Sequence, residues 1–214
     1  MSRYKHIIWD WNGTLWDDTW LCVEINNHML GRRGLPEINL ATYQDKLCFP
    51  VDRYYCQLGF DYGREPYRRL AEEFIAEYTE RRYECVLHIG ARELIAGLKE
   101  KGIPQAVLSA YQQDTLLQAV EFFRLTPFFD AVIGLDDIYA SGKVANGLQY
   151  ISQLRLDPAE VVFIGDTVHD FEVAQAMGVQ SMLIDHGHNS RSRLEACGAP
   201  VLSSLADIQG LLCL

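Results

Sequence analysis

The stretch H-I-I-W-D-W-N-G-T-L-W-D-D, residues 6–18, carries the strongest structural signal in this chain. A short apolar run, typical of a buried strand, ends on the carboxylate of Asp10. A glycine and a threonine follow, and the chain then becomes acidic. The amide of Asn12 stands two residues after Asp10, where a second carboxylate would suit acid–base chemistry better.

The composition is that of a globular protein. The 214 residues suit one domain, or a domain with an insertion, and 49% hydrophobic with 22% charged residues excludes a disordered chain. A net charge of −10 without a basic tract argues against nucleic acid or a membrane as partner. Scattered cysteines, and no apolar run near the ~18 residues of a membrane span, predict free thiols in a cytoplasmic protein.

Strand and helix patterns alternate in the second part of the chain. Strands are predicted at 105–109, 131–134, 161–166 and 181–185, with helical patterns between them. Only helical patterns follow the first strand as far as residue 84. We therefore predict an α/β fold with a doubly wound parallel-sheet (Rossmann-like) core of residues 1–15 and 85–214, and an α-helical cap of residues 16–84 inserted after the first strand.

Polar residues mark the ends of the predicted strands. The first ends at Asp10, the second at Ser109, and the fourth runs into Asp166 and Asp170. Lys143 precedes the helix that follows the third strand. The carboxyl ends of parallel strands share one edge of the sheet, so we expect these groups to converge there. Clustered carboxylates need a cation, and Mg²⁺ prefers oxygen ligands together with phosphate oxygens.

The motif D-W-N-G-T, residues 10–14, resembles the D-x-D-x-T signature of the haloacid dehalogenase superfamily, most of whose members are phosphatases. Ser109, Lys143 and the segment 165–178 resemble the second, third and fourth motifs. The helical insertion resembles the small cap of phosphoglycolate phosphatases and β-phosphoglucomutases. The resemblance covers nearly the whole chain and implies Mg²⁺-dependent hydrolysis of a small phosphorylated metabolite.

The resemblance also implies a role for each matching residue. Asp10 would be the nucleophile, with Lys143 as a further catalytic residue. The metal ligands would be Asp10, the backbone carbonyl of Asn12, and Asp166, with Asp170 binding or orienting the metal. The phosphate would be held by Thr14, Ser109 and its neighbour Ala110, together with Lys143. In the cap, Lys46 and Arg53 lie in a segment that resembles the substrate-specificity loop.

Asn12 is the departure from the family pattern. Phosphatases of the family carry an aspartate there, which protonates the leaving oxygen and then activates water. An amide cannot transfer protons near neutral pH, and losing a positioned acid–base group costs ~10²–10⁴ in rate. We therefore expect slow or atypical turnover, and we expect Asn12→Asp to raise phosphate release.

Four interpretations of the amide stay open. The protein is a slow phosphatase that uses good leaving groups such as acyl phosphates, or a phosphatase in which another group, with His169 as the candidate, transfers the proton. A third interpretation is a phosphonatase-like C–P hydrolase in which Lys46 forms a Schiff base. The fourth is a protein that binds a phosphorylated ligand without turning it over.

Overall fold

The structure, a computed structural model, describes residues 4–136 and 142–211. The strands are β1 (His6–Trp9), β2 (Trp16–Asp17), β3 (Val86–Leu87), β4 (Gln105–Gln112), β5 (Ala131–Leu135), β6 (Val161–Gly165), β7 (Gln180–Ile184) and β8 (Val201–Leu202). The helices are α1 (Thr19–Gly31), α2 (Leu40–Lys46), α3 (Val51–Gln57), α4 (Tyr67–Arg81), α5 (Ala91–Glu100), α6 (Gln113–Phe122), α7 (Lys143–Leu154), α8 (Val168–Met177), α9 (Arg191–Glu195) and α10 (Leu205–Leu211).

Six parallel strands form the central sheet in the order β5–β4–β1–β6–β7–β8. All four residues of β1 are buried, as expected for a strand paired on both edges and covered on both faces. The connections run outward from β1 on either side, through β4 to β5 and through β6 to β8. Asp10 therefore follows β1 at the point where the strand order reverses, which is where ligands bind in doubly wound folds.

Helices α1–α4 lie between β2 and β3 in the chain. These two short strands pair antiparallel in a sheet of their own, with Trp16 opposite Leu87 and Asp17 opposite Val86. The helical segment therefore begins and ends at neighbouring points. Trp16 is fully buried and packs edge-on against Tyr78 of α4 at 6.2 Å between ring centres. The boundaries of the cap at 16 and 84 stay a prediction, and residues 1–3 and 212–214 of the predicted core lie outside the described ranges.

The α/β fold and parallel sheet predicted from the sequence are confirmed, with differences at short elements. The strands β2, β3 and β8 have two residues each, too few for a periodic pattern. Strand β4 does not end at Ser109 but continues to Gln112 through a register shift after Leu108. That irregularity lifts Ser109–Tyr111 out of the regular ladder at the edge where Asp10 lies. Among the described residues, no helix is long and apolar enough to cross a bilayer.

Two histidines, the buried His6 and the half-buried His88, make the stability of the fold sensitive to acid. Burial lowers the pKa of His88 to about 3, with the stacked His186 ring 3.6 Å away contributing, and burial lowers the pKa of His6 to about 4. The unfolded chain binds these protons near the ordinary pKa of about 6.5, so the free energy of unfolding should fall as the pH drops from 6.5 towards 4.

The expected slope is at most about 1.4 kcal/mol per pH unit for each histidine. Urea unfolding of the wild type and of His88→Phe, which keeps a ring stacked on His186 but cannot be protonated, measures it. The variant should lose less stability than the wild type between pH 6.5 and 4. Identical pH profiles would contradict the assignment to His88.

Candidate active site

Three buried carboxylates meet beyond the carboxyl ends of β1 and β6. Asp10 follows β1, Asp166 follows β6, and Asp170 lies in the first turn of α8. Each contributes an oxygen atom to a cluster whose atoms all lie within 4.8 Å of one another. Burial, and then the charge of Asp170, raise the pKa of Asp10 well above its ordinary value. Burial likewise raises the pKa of Asp166 to about 6.

Lys143 is the cation within this cluster. It is the first residue of α7, and its buried ammonium lies 2.5 Å from Oδ1 of Asp10 and 2.6 Å from Oδ1 of Asp170. Although burial disfavours the ammonium, the two carboxylates raise the pKa of Lys143 above its ordinary value. Three carboxylates against one ammonium leave a deficit of positive charge, and a hard divalent cation such as Mg²⁺ fits this set of oxygen donors.

Asp170 is occupied by hydrogen-bond donors of the protein. Its Oδ1 accepts from Lys143, and its Oδ2 accepts from the backbone N–H of Asp166 at 3.1 Å and from the N–H and hydroxyl of Thr167 at 2.9 and 2.7 Å. Despite its burial, Lys143 and Thr167 hold the pKa of Asp170 below the ordinary value. A Cβ on Gly165 would lie 2.4 Å from atoms of Asp170, so only glycine fits there. Asp170 therefore orients Lys143 and the loop before α8.

Asp166 is held by two donors from distant parts of the chain. The Thr14 hydroxyl donates to Oδ1 at 2.6 Å, and the backbone N–H of His188 donates to Oδ2 at 2.6 Å. Thr14 is fully buried and is not among the residues that line the cavity. The sequence predicted Thr14 as a phosphate ligand, but the structure directs its hydroxyl towards Asp166. The positive φ of Gly13, +74°, turns the chain so that Thr14 reaches Asp166, the residue after β6.

Gly13 offers a sharp test of this packing. A Cβ there would lie 2.3 Å from Oδ2 of Asp166 and 2.5 Å from Cδ2 of His188, in addition to the strain of φ +74°. Gly178, with φ +72° and no atom within 4 Å of a Cβ, is a matched control that has only the strain. Gly13→Ala is expected to lower the free energy of unfolding by about 3 kcal/mol, against about 1 kcal/mol for Gly178→Ala.

Denaturant unfolding of the two glycine variants measures this difference directly. Gly13→Ala should also disturb the position of Asp166 and reduce any metal-dependent activity, whereas Gly178→Ala should not. Equal losses of stability in the two variants would contradict the close packing of Gly13 against Asp166.

The side chain of Asn12 donates two hydrogen bonds. Its Nδ2 lies 2.7 Å from Oδ2 of Asp18 and 2.9 Å from the hydroxyl of Tyr78, which itself donates to Oδ2 of Asp18 at 2.5 Å. The N–H of Gly13 donates to Oδ1 of Asp18 at 2.9 Å, and Nε2 of His188 lies 3.3 Å from the same oxygen. An amide at position 12 therefore completes a set of donors around Asp18, which a carboxylate could not do.

Asp18 and His188 form a buried ion pair on the same cavity as Asp10. Although burial disfavours the imidazolium, the Asp18 carboxylate raises the pKa of His188 to about 9. The charge and hydrogen bond of His188 in turn hold the pKa of Asp18 below its ordinary value in spite of burial. Neither Asp18 nor His188 is among the site residues predicted from the sequence. Their 170-residue separation in the chain left no local signal for the pairing.

A cavity of about 220 Å³ lies over this cluster, between the sheet edge and the helical segment. The sheet side brings Asp10, Asn12, Ser109, Ala110 and Lys143 to it, together with His169. The ring of His169 stacks on Phe49 at 4.8 Å, and its Nδ1 lies 3.4 Å from Glu172. The structure thus brings most of the residues predicted from the motifs to one cavity.

Lys46 and Arg53 are not among the described residues that line the cavity. The Lys46 ammonium donates to the backbone carbonyl of Gln57 at 3.2 Å, and Arg53 is exposed. Helices α2 and α3 bury Tyr43 and Tyr54 instead, so their polar residues lie on the outward faces. Within the described ranges, therefore, no lysine of the helical segment lies where a Schiff base with a bound phosphonate would form.

Comparison with known proteins gives the family. The model of the family described as haloacid dehalogenase-like hydrolase matches residues 7–184, which include all four predicted motifs. The chain belongs to this family. The carboxylate cluster, Lys143 and Ser109 all lie within the matched segment.

Individual relatives are distant in sequence but similar over most of their length. The chain is 23% identical over 184 residues to the putative pyrophosphatase PpaX of Caldanaerobacter subterraneus subsp. tengcongensis, covering 83% of this chain and 80% of that protein. It is 25% identical over 209 residues to the tyrosine-protein kinase PtkA of Mycobacterium tuberculosis, covering 96% and 70%. A predicted phosphoglycolate phosphatase from Haemophilus somnus superposes with a TM-score of 0.78 at 19% identity, covering 99% of both chains, which shows a shared fold.

Proposed function

We propose that this protein is a Mg²⁺-dependent phosphoric monoester hydrolase. It acts on a small phosphorylated metabolite through an aspartyl-phosphate on Asp10, and its turnover is slow because Asn12 replaces the acid–base aspartate. The observation that carries the proposal is the position of Asp10, which lines the cavity within the carboxylate cluster. Its Oδ1 accepts a hydrogen bond from the Lys143 ammonium at 2.5 Å. Family membership and relatives named as phosphatases support the same chemistry.

The nucleophilic step uses the free oxygen of Asp10. Lys143 holds Oδ1, and among the described residues no hydrogen bond to Oδ2 occurs, so Oδ2 is the atom available for attack. A bond forms from Oδ2 to phosphorus while the bond from phosphorus to the ester oxygen breaks, and the alcohol oxygen leaves with the electron pair. Water then attacks phosphorus and the bond from phosphorus to Oδ2 breaks, which releases phosphate and restores the Asp10 carboxylate. One proton of the water stays on the phosphate, and the other passes through solvent to the alcohol oxygen that left in the first step.

Binding of the phosphoryl group depends on the residues around Asp10. Asp10 and Asp166 would hold Mg²⁺, with Asp170 behind them orienting Lys143. The ion would supply positive charge against the phosphoryl oxygens. Ser109, buried at the irregular end of β4, is the predicted hydroxyl ligand of the phosphate, beside Ala110.

Asn12 limits the rate in both steps. Its amide is engaged with Asp18 and Tyr78 and carries no proton that it can transfer near neutral pH. The leaving oxygen therefore departs without help from position 12, and the attacking water is not activated there. Substrates whose leaving groups tolerate a negative charge are the ones that this site can cleave.

A phosphate-release screen tests the proposal. The protein is incubated with a panel of phosphomonoesters and acyl phosphates, with and without Mg²⁺, and inorganic phosphate is measured. We expect release from part of the panel that disappears when EDTA removes the metal. Retained binding of inorganic phosphate with no release from any ester would instead favour a binding protein.

The five described cysteines are free thiols, which suits the cytoplasmic location predicted from the sequence.

A further inference from the structure

The helical side of the cavity is aromatic. Six rings from α2, α3 and α4, which we call the aromatic wall, line it: Tyr43, Tyr54, Tyr55, Tyr67, Phe74 and Tyr78. Tyr43 meets Tyr54 edge-on at 5.7 Å, and Phe74 stacks on Tyr78 at 5.8 Å. No lysine or arginine of the helical segment lines the cavity in the part of the chain that the structure describes. The wall suits an uncharged, planar group.

Two buried polar atoms of residues on this side of the cavity have no hydrogen-bond partner among the described residues. The hydroxyl of Tyr54 and Oδ1 of Asn26 are buried and make no hydrogen bond within residues 4–136 and 142–211, and both residues line the cavity. Nδ2 of Asn26 donates to the backbone carbonyl of Cys22 at 2.6 Å, so the other face of the amide presents an acceptor. Buried polar atoms of native proteins are nearly always paired, which points to a ligand that brings a hydroxyl or amino donor.

The cations beside the cavity are already neutralised by protein carboxylates. Lys143 is paired with Asp10 and Asp170, and His188 is paired with Asp18. A carboxylate on the organic part of a substrate would thus be buried against the aromatic wall without a counter-charge, which is strongly unfavourable. The site accordingly disfavours small anionic groups such as the glycolate of phosphoglycolate.

The volume of the cavity and the chemistry of the leaving group narrow the class of substrate further. The cavity of about 220 Å³ exceeds the ~150 Å³ that accommodates a benzene molecule, so one ring and a phosphoryl group fill it. Since Asn12 supplies no proton, a leaving oxygen that is stable as an anion is needed. A phenolic oxygen, with a pKa of about 10, meets this need far better than an aliphatic alcohol.

We propose that the substrate is the phosphate ester of a single-ring phenol that bears a further hydroxyl or amino donor and no carboxylate, and that Tyr54 and Asn26 determine this specificity. This inference rests on the proposed function, because the phosphoryl group must lie at Asp10 while the ring lies against the aromatic wall. Tyr54 and Asn26 bind the donor of the ring and take no part in the transfer of the phosphoryl group.

The test compares phenyl phosphate, the three hydroxyphenyl phosphates, benzyl phosphate and 2-phosphoglycolate with Mg²⁺. Phenyl phosphate should be cleaved faster than benzyl phosphate, and 2-phosphoglycolate should be the poorest substrate. At least one hydroxyphenyl ester should exceed phenyl phosphate in kcat/KM by about tenfold, the value of one buried hydrogen bond. Tyr54→Phe, which removes one oxygen and keeps the ring, should abolish that advantage.

Tyr150→Phe is the matched control, because its hydroxyl bonds His6 at 3.1 Å, away from the cavity lining. It should keep the preference for the hydroxyphenyl ester. Asn26→Leu is the second variant and should weaken the same preference. An advantage that survives in both Tyr54→Phe and Asn26→Leu, or 2-phosphoglycolate as the best substrate, would overturn the inference and leave the phosphatase assignment intact.

Failure of the proposed function gives a different pattern. If no ester releases phosphate, calorimetric titration with catechol, resorcinol and hydroquinone measures binding to the aromatic wall without any chemistry. Binding that weakens about tenfold in Tyr54→Phe would support the specificity assignment while the hydrolase proposal fails. No binding of any of the three phenols to the wild type would overturn the assignment.

Discussion

Asp10→Asn is expected to reduce Mg²⁺-dependent phosphate release by about 10⁴-fold or more, because an amide oxygen does not attack phosphorus. The amide fits the same space and still offers an oxygen to the Lys143 ammonium, 2.5 Å away in the wild type. In the wild type, burial and repulsion by Asp170 and Asp166 raise the pKa of Asp10. The substitution removes one of the three buried carboxylates and so relieves this repulsion. The free energy of unfolding without metal should therefore be unchanged or higher.

Phosphate release and urea unfolding are measured side by side for this variant. Asp130→Asn, which alters an exposed carboxylate 3.3 Å from Lys99, is the matched control and should keep full activity. After brief mixing with substrate and acid quenching, the wild-type peptide that contains Asp10 should carry a phosphate adduct, and the Asp10→Asn peptide should not. Full activity in Asp10→Asn would exclude it as the nucleophile.

Asn12→Asp is expected to raise the rate of phosphate release by about 10²-fold, within the range supplied by a positioned acid–base group. The structure also predicts a loss of stability for this variant, which the sequence did not predict. The new carboxylate would face Oδ2 of Asp18 at the 2.7 Å that the amide now bridges as a donor. Replacing a hydrogen bond to a charged group by repulsion should lower the free energy of unfolding by about 1.5–3 kcal/mol.

The double variant Asn12→Asp/Asp18→Asn separates these two effects. It exchanges the two side chains of the pair, so that an amide at position 18 donates to the carboxylate at position 12, and it should recover much of the lost stability while keeping a raised rate. Asp18→Asn alone should not raise the rate, since no acid–base group is gained. Rates that stay at the wild-type level in both the single Asn12→Asp and the double variant would contradict the acid–base account of position 12.

The cluster of Asp10, Asp166 and Lys143 was predictable because it depends on a rule that is general for parallel sheets. Each strand was marked by a local apolar run, and parallel strands bring their carboxyl ends to one edge whatever their order. The polar residue after each run was therefore placed without knowledge of any contact. The helices of residues 16–84 were likewise visible in their own periodicity.

The partner of each side chain was not predictable in the same way. Thr14 was assigned to phosphate from its place in the motif, yet its hydroxyl bonds Asp166, 152 residues away. Lys46 and Arg53 were chosen because their segment resembles the substrate-specificity loop, but the apolar faces of α2 and α3 point inward and leave both residues outside the cavity lining. The amide of Asn12 looked like a loss of function until Asp18 was placed 2.7 Å from it.

The amino-acid sequence by itself determined the fold class, the edge of the sheet that carries the site, and the chemical types gathered there. Periodicity and strand ends are properties of a few adjacent residues, and they survive in any single chain. Only the tertiary structure decided which polar atoms accept hydrogen bonds and which residues enclose the cavity. It pairs Asp18 with His188 and, within the described ranges, leaves Oδ1 of Asn26 and the hydroxyl of Tyr54 without a partner. These depend on packing between segments far apart in the chain, where a rotation of one side chain changes the partner while the local pattern stays the same.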